Sequence, residues 1–341
     1  MKKKGGTNDK RNKIISTRHF ILYSSDICLC RCLSGRSGYR ICKSCPAMSG
    51  MCGDWLIHMK EKIKQFLLQR NTIQMLATLL SNIHVLNFLK GTLNNGKTKM
   101  VCMPGLNCYS CPAATGACPI GAYQAVAGSS KYRFSYYISG ILIFLGVVFG
   151  RLICGFLCPF GWFQDLLHKI PSRKFSTKGL TYLRYFKYVI LIACVCVLPV
   201  LMTNDSGMGV PFFCKYVCPQ GVLEGAIPLA IVKESIRSSL GELFSWKTGI
   251  LAVVIVLSIF FYRPFCKWIC PLGAFYSLFN RVSVYHYRLD KKKCVSCGKC
   301  SRTCKMDVDI TQKTNHAECI RCGECIKVCP TSAITAHWNR R

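Results

Sequence analysis

Cys294-Val-Ser-Cys297-Gly-Lys-Cys300-Ser-Arg-Thr-Cys304 and Cys319-Ile-Arg-Cys322-Gly-Glu-Cys325-Ile-Lys-Val-Cys329-Pro330 are two consecutive runs of one pattern, Cys-x2-Cys-x2-Cys-x3-Cys. Thiolates at this spacing wrap a [4Fe–4S] cubane, and in paired runs the fourth cysteine of each ligates the other run's cluster. The expected wiring is Cys294, Cys297, Cys300 and Cys329 for cluster one, and Cys319, Cys322, Cys325 and Cys304 for cluster two. The short x2 gaps turn three thiolates onto one small core and aim the loop's amide N–H groups at the sulfurs. The alternatives are a pair of zinc knuckles or a disulfide knot. Zinc sites use two Cys-x2-4-Cys pairs parted by a longer loop, not a tripled x2 run ending in Cys-Pro.

Working outward, 51% of the 341 residues are hydrophobic, enough for a large core or for a bilayer. The formal charge is +32, from 46 Lys+Arg against 14 Asp+Glu. Such a balance often marks a nucleic-acid binder. Here the basic residues sit between apolar stretches, the positive-inside pattern of a membrane protein. No zinc-finger, RNA-binding or helix-turn-helix pattern accompanies them. Membrane lipid, and no nucleic acid, is the expected partner. Twenty-six cysteines would suggest disulfides in an oxidising compartment. The cluster runs require a reducing one, which puts the C-terminal domain in the cytoplasm. No cleavable signal peptide is visible.

Apolar stretches near residues 134–153, 185–203 and 246–265 approach the length needed to span ~30 Å of hydrocarbon. A fourth, near 73–89, is interrupted by Gln74, Asn82, His84 and Asn87 and reads as a span facing its bundle. The segment 222–232 is too short to cross and reads as interfacial or re-entrant. Residues 1–70 carry 15 basic and 4 acidic residues, 151–187 carry 7 and 1, and 263–341 carry 15 and 5. The loop 204–247 is balanced at 4 and 4, while 90–133 holds 5 basic and no acidic residues. Both termini and the 151–187 loop inside is the best fit, with the basic 90–133 loop against it. The expected fold is a membrane α-helical bundle of about four spans over 59–287, then an α+β two-cluster bacterial ferredoxin domain over 288–341.

Three further pairs share one pattern: Cys154-x3-Cys158-Pro159, Cys214-x3-Cys218-Pro219 and Cys266-x3-Cys270-Pro271. Proline suits the first turn of a helix, where its missing N–H costs nothing. Each second cysteine is therefore expected at a helix N-terminus, whose free amides and positive dipole end favour an anionic cluster. Phe163, Leu166, Leu167 and Ile170 then recur at the spacing of an interfacial helix. With four spans, Cys154/Cys158 and Cys266/Cys270 emerge on the cytoplasmic side and together make four ligands. Cys214/Cys218 emerge opposite. On their side lies a fourth set, Cys102, Cys108, Cys111 and Cys118, which supplies four thiolates by itself. It reads as one more cluster or as disulfides in an extracytoplasmic loop. One or two clusters are thus expected beyond the ferredoxin pair. Cys194 and Cys196 lie mid-span and read as packing residues.

Residues 1–58 form a basic, cysteine-rich extension. Within it, Cys42-Lys-Ser-Cys-Pro-Ala-Met-Ser-Gly-Met-Cys52 echoes Cys108-Tyr-Ser-Cys-Pro-Ala-Ala-Thr-Gly-Ala-Cys118. That is an internal duplication, or else a poorly folded leader, or an upstream start codon with translation beginning at Met51 or Met59.

Arg151-Leu-Ile-Cys-Gly-Phe-Leu-Cys-Pro-Phe-Gly, Arg263-Pro-Phe-Cys-Lys-Trp-Ile-Cys-Pro-Leu-Gly and the C-terminal double run resemble the membrane polyferredoxin family. That family includes the membrane ferredoxin subunit of periplasmic nitrate reductase and the C-terminal part of the nitrous-oxide reductase maturation protein. The likeness covers roughly residues 60–335. It implies an integral membrane carrier of single electrons, exchanging with quinol or a redox partner protein. The alternative is a redox-sensing regulatory or assembly protein for a membrane complex. No nucleophile–base pair, phosphate loop or paired-carboxylate site is present, so substrate catalysis by this chain alone is not expected.

Overall fold

The polar residues that interrupt the apolar stretch after Ile73 end its helix early. In the computed structural model, which describes residues 69–94, 96–129, 135–204 and 209–338, helix α1 covers Arg70–Ser81. The Asn82 side chain donates to Thr78 O, the His84 N–H to Ala113 O and the Asn87 side chain to Pro112 O. These bonds turn the chain onto the cysteine-bearing loop that precedes α2 (Pro119–Gly128). A 12-residue helix therefore stands where a span over 73–89 was expected. Helix α3 (Tyr136–Phe149) ends at Gly150, whose φ of +55° favours glycine. A Cβ there would also lie 2.6 Å from Asn280 Oδ1. Then come α4 (Pro159–Leu167), α5 (Leu183–Leu201), α6 (Val222–Val232), α7 (Glu242–Phe260) and α8 (Pro271–Phe279).

Among the described residues, α5 and α7 are long and apolar enough to cross a membrane, each with 19 residues. The other two expected spans are the 12-residue α1 and the 14-residue α3, short of the ~20 residues a crossing needs. Pro199 gives α5 no N–H, and its hydrogen bonding widens to i→i+5 over Leu191–Val197 just before it. Helix α6 occupies the segment read as interfacial or re-entrant. In α4, Leu166 and Ile170 just beyond its end are exposed as an interfacial face would be, but Phe160, Gln164 and Asp165 are buried inward.

Strand β1 (His286–Leu289) pairs antiparallel with β2 (Ile334–His337), setting Leu289 opposite Ile334. Short helices α9 (Lys299–Thr303) and α10 (Glu324–Lys327) complete an α+β module with a small core of Tyr287, Cys300, Ile310 and Ile334. Met306, Val308 and Ile320 of the same module instead join the main core, with Ile153, Phe160, Phe265 and Tyr276. Buried polar contacts fasten the junction. Arg151 pairs with Glu318 at 2.6 Å, Lys187 also pairs with Glu318, and Lys267 pairs with Asp307 at 3.1 Å. The Asn280 side chain donates to the carbonyls of His316 at 2.9 Å and Cys319 at 2.7 Å. The described residues fall within one compact unit. The readings made for residues 1–58 lie outside the described residues.

Candidate iron–sulfur sites

The Cys-Pro steps start helices as their chemistry predicts. Cys118, Cys158 and Cys270 are the residues immediately before α2, α4 and α8, each in extended conformation with proline next. The amide three residues on donates back to each sulfur: Gly121 to Cys118, Gly161 to Cys158 and Gly273 to Cys270. The first cysteine of each pair, Cys154, Cys214 or Cys266, sits on a single helical turn just upstream.

Cys154, Cys158, Cys266 and Cys270 are all buried and close enough for their charges to act on one another. The fold thus brings together the two pairs that the topology reading grouped. Two fully buried arginines frame this set reciprocally. Arg151, three residues before Cys154, donates to Cys266 O at 3.1 Å, and Arg263, three before Cys266, donates to Cys154 O. Arg263 holds φ +51°, uncommon outside glycine, clamped by two bonds to Asp165 at 2.7 and 2.6 Å. Burial alone would raise the Asp165 pKa, but Arg263 and Arg70 hold it well below the usual carboxylate range.

The double run folds as its spacing requires. Cys294, Cys297, Cys300 and Cys329 line one cavity. Cys304, Cys319, Cys322 and Cys325 form a second mutually interacting set. Backbone amides again face the sulfurs, with Ala333 N–H on Cys329 at 3.3 Å and the Arg321 N–H on Cys319.

The loop set expected to be self-contained is divided. Cys108 and Cys118 line a cavity of about 280 Å³ together with Cys214 and Cys218. Cys111 turns away, its thiol donating to Glu224 O at 3.1 Å, and Cys102 forms a parallel bridge with Ala117. Cys194 and Cys196 stand apart on α5, Cys196 bonded to Tyr123.

The sequence reading missed the residue six positions after each Cys-Pro cysteine. Cys118-Pro-Ile-Gly-Ala-Tyr-Gln124 and Cys158-Pro-Phe-Gly-Trp-Phe-Gln164 end alike, and the Cys218 and Cys270 motifs end in Glu224 and Tyr276. Gln124 donates to Cys214 Sγ at 3.2 Å and Gln164 to Cys266 Sγ at 3.1 Å. The repeat was the available signal.

Sets of four cysteines are the donors that iron–sulfur cores take. Burial pushes the Cys158 and Cys214 thiols up to about 12 and Cys118 to about 11. The bare thiols thus keep their protons at neutral pH, and loading with metal must release them. Among the described residues, no three His, Cys, Asp or Glu converge on one metal ion. Thiolates that each take a different iron of a cluster stand farther apart than that.

The chain matches the family described as a 4Fe-4S binding domain over residues 134–178, 189–227 and 244–290, one Cys-x3-Cys-Pro pair in each segment. It matches the 4Fe-4S dicluster domain over residues 286–333, which contain all eight cysteines of the double run. An uncharacterized protein of Methanocaldococcus jannaschii is 32% identical over 52% of this chain and 61% of its own length. The regulatory protein NosR of Stutzerimonas stutzeri is 24% identical over 51% of this chain and 24% of its own. The methylamine utilization ferredoxin-type protein MauN of Paracoccus denitrificans is 25% identical over 48% and 50%. In each case the match spans less than two thirds of the relative. No solved structure matches the chain. Because the matched segments coincide with the cysteine sets that the fold gathers, the chain carries [4Fe–4S] clusters and belongs to the polyferredoxin family.

Proposed function

We propose that the protein is a multi-pass carrier in the cytoplasmic membrane, moving single electrons between a quinol or membrane redox partner and a partner on the cytoplasmic or the opposite side. Three sets hold the clusters in this reading: Cys294/Cys297/Cys300/Cys329, Cys304/Cys319/Cys322/Cys325 and Cys154/Cys158/Cys266/Cys270. Bound clusters supply one-electron chemistry at potentials tuned by charge, exposure and hydrogen bonds to sulfur. The chain supplies ligands, spacing and those bonds.

The observation that carries the reading is the joint between the second and third sets. A Cβ on Gly155 would lie 2.5 Å from Ile320 O. Gly155 follows Cys154 and Ile320 follows Cys319, so the two ligand loops touch backbone to backbone. Residence in a membrane is supported by α5 and α7. Only 22% and 17% of their apolar windows are buried, whereas a soluble core helix is mostly buried. Val189, Ile192, Val253 and Val256 are exposed on them. The charge distribution supports a cytoplasmic ferredoxin module.

Reporter fusions after residues 175 and 341 are expected to report the cytoplasm, and one after 210, between α5 and α7, the opposite side. Opposite signals from the 175 and 341 fusions would sink the orientation. A second expectation concerns tuning. Gln164→Leu keeps every thiol but removes a donor to Cys266. A hydrogen bond to a charged group is worth ~1.5–3 kcal/mol, and the part that favours the more anionic reduced state is lost. At ~59 mV per tenfold for one electron, the midpoint potential of that site should fall by tens of mV in a redox titration. The ferredoxin potentials should stay in place.

Similarity to a protein named as regulatory favours one other reading, a redox-sensing regulatory or assembly protein. Steady electron flow through the protein in reconstituted vesicles distinguishes the two, because a sensor need not pass current.

A further inference from the structure

The cavity between the 106–118 loop, the segment 211–221 and the start of α7 matches the site at Cys154, Cys158, Cys266 and Cys270 in three features. Each has a cysteine that begins a helix through Cys-Pro-x-Gly, Cys118 in one and Cys158 in the other. Each has a complete Cys-x3-Cys-Pro pair from a distant segment, Cys214/Cys218 in one and Cys266/Cys270 in the other. A fully buried glutamine at the sixth position donates to the first sulfur of that pair in both. The geometry points to a fourth [4Fe–4S] site, held by Cys108, Cys118, Cys214 and Cys218.

The surroundings are built for four thiolates. The Asn107, Ile120 and Gly121 amides face Cys118, the Gln220 amide faces Cys218, and the Ser110 and Cys111 amides face Cys108. Glu224 accepts the Cys108 N–H at 3.0 Å and fixes that loop, while Lys247 donates to Cys214 O at 3.1 Å and brings a positive charge. Two glycines border the sulfurs. A Cβ on Gly221 would meet Cys108 Sγ at 3.4 Å, and one on Gly121 would meet Cys214 Sγ at 3.6 Å.

Its role rests on the relay reading above, although its ligand set does not. Two successive amides join the matched sites: the Leu106 amide faces Cys158 and the Asn107 amide faces Cys118. The loop is pinned there by Tyr276 Oη donating to Pro104 O at 3.1 Å. A Cβ on Gly105 would lie 2.8 Å from Cys158 Cα. The fourth site is next to Lys247 near the start of α7, whereas Arg263, just beyond its end, touches the Cys154 loop. The fourth site therefore extends the relay toward the other end of the long helices.

The test compares ligand with non-ligand cysteines of the same loop, in full-length protein purified without oxygen. Cys108→Ser and Cys218→Ser should each lose one cluster's complement of iron and sulfide and one reduced-state EPR signal. Cys102→Ser and Cys111→Ser should lose neither. Loss in the Cys102 and Cys111 variants with none in the Cys218 variant would overturn the assignment in favour of a self-contained loop site. If the serine variants do not accumulate, Gln124→Leu decides, since it keeps every thiol. One potential should fall, and it should not be the one moved by Gln164→Leu. Unmoved potentials in Gln124→Leu would overturn the fourth site. The relay reading stands or falls separately, on the Cys158 and Cys270 variants.

Discussion

Serine in place of Cys158 or Cys270 is expected to remove one cluster's iron, sulfide and EPR signal while both ferredoxin signals persist. Serine preserves size and can still cap a helix, but its hydroxyl is a far poorer ligand for these cores than thiolate. Both positions are buried, and the other thiols of the set are already committed. Electron flow between the membrane and the ferredoxin module should stop, because Gly155 and Ile320 make this set the module's neighbour. Cys194→Ser is the control: it lies on the widened part of α5, outside the four sets, and should change neither spectrum nor flow. Unchanged spectra in the Cys158 and Cys270 variants would leave the ferredoxin module as the electron-carrying part. Equal loss in all three would report misfolding, which a thermal melt would expose.

The arrangement of the double run was legible because its ligands lie close in sequence and their spacing fixes which sulfurs meet. The partnership of Cys154/Cys158 with Cys266/Cys270 was legible for a different reason. Counting crossings put both pairs on one side, and the fold unites them even though α1 and α3 are shorter than crossings require. Apolar sequence overstated helix length where Asn82 and Gly150 end the helices with specific contacts that hydropathy does not register.

Four nearby thiols made the loop of Cys102, Cys108, Cys111 and Cys118 look self-contained in sequence. Spacing cannot reveal that the Cys214 pair arrives from a distant segment to line one cavity with Cys108 and Cys118, or that the Cys111 thiol is taken up by Glu224 O. The repeated Cys-Pro-x-Gly-x-x-polar motif was the missing guide. It occurs at Cys118, Cys158, Cys218 and Cys270, and its polar end is spent each time on a contact that crosses to another segment.

Glu318→Gln should loosen the ferredoxin module without touching a ligand. Glu318 is 3% exposed and accepts from Arg151 at 2.6 Å and from Lys187, both fully buried. Burial alone would raise its pKa, but the two cations overcome that and hold it at about 2. A depressed carboxylate stabilises the fold above its unfolded value of 4.5, and the contribution disappears as pH falls toward about 2. At neutral pH it is charged, so the glutamine leaves two buried cations uncompensated. Removing one partner of a buried pair costs ~3–5 kcal/mol, read as a lower denaturation midpoint. Arg151 also holds Ala317 O and Cys266 O, so the strain falls on the joint between two cluster sets. Iron content should remain at the wild-type level, while spin coupling between the Cys319 and Cys154 sets weakens and proteases reach residues 288–341 more readily. Adding Lys187→Met removes one orphaned cation and should recover part of the loss. Wild-type stability and coupling in Glu318→Gln would show that the apolar contacts of Ile320, Met306 and Val308 hold the module alone.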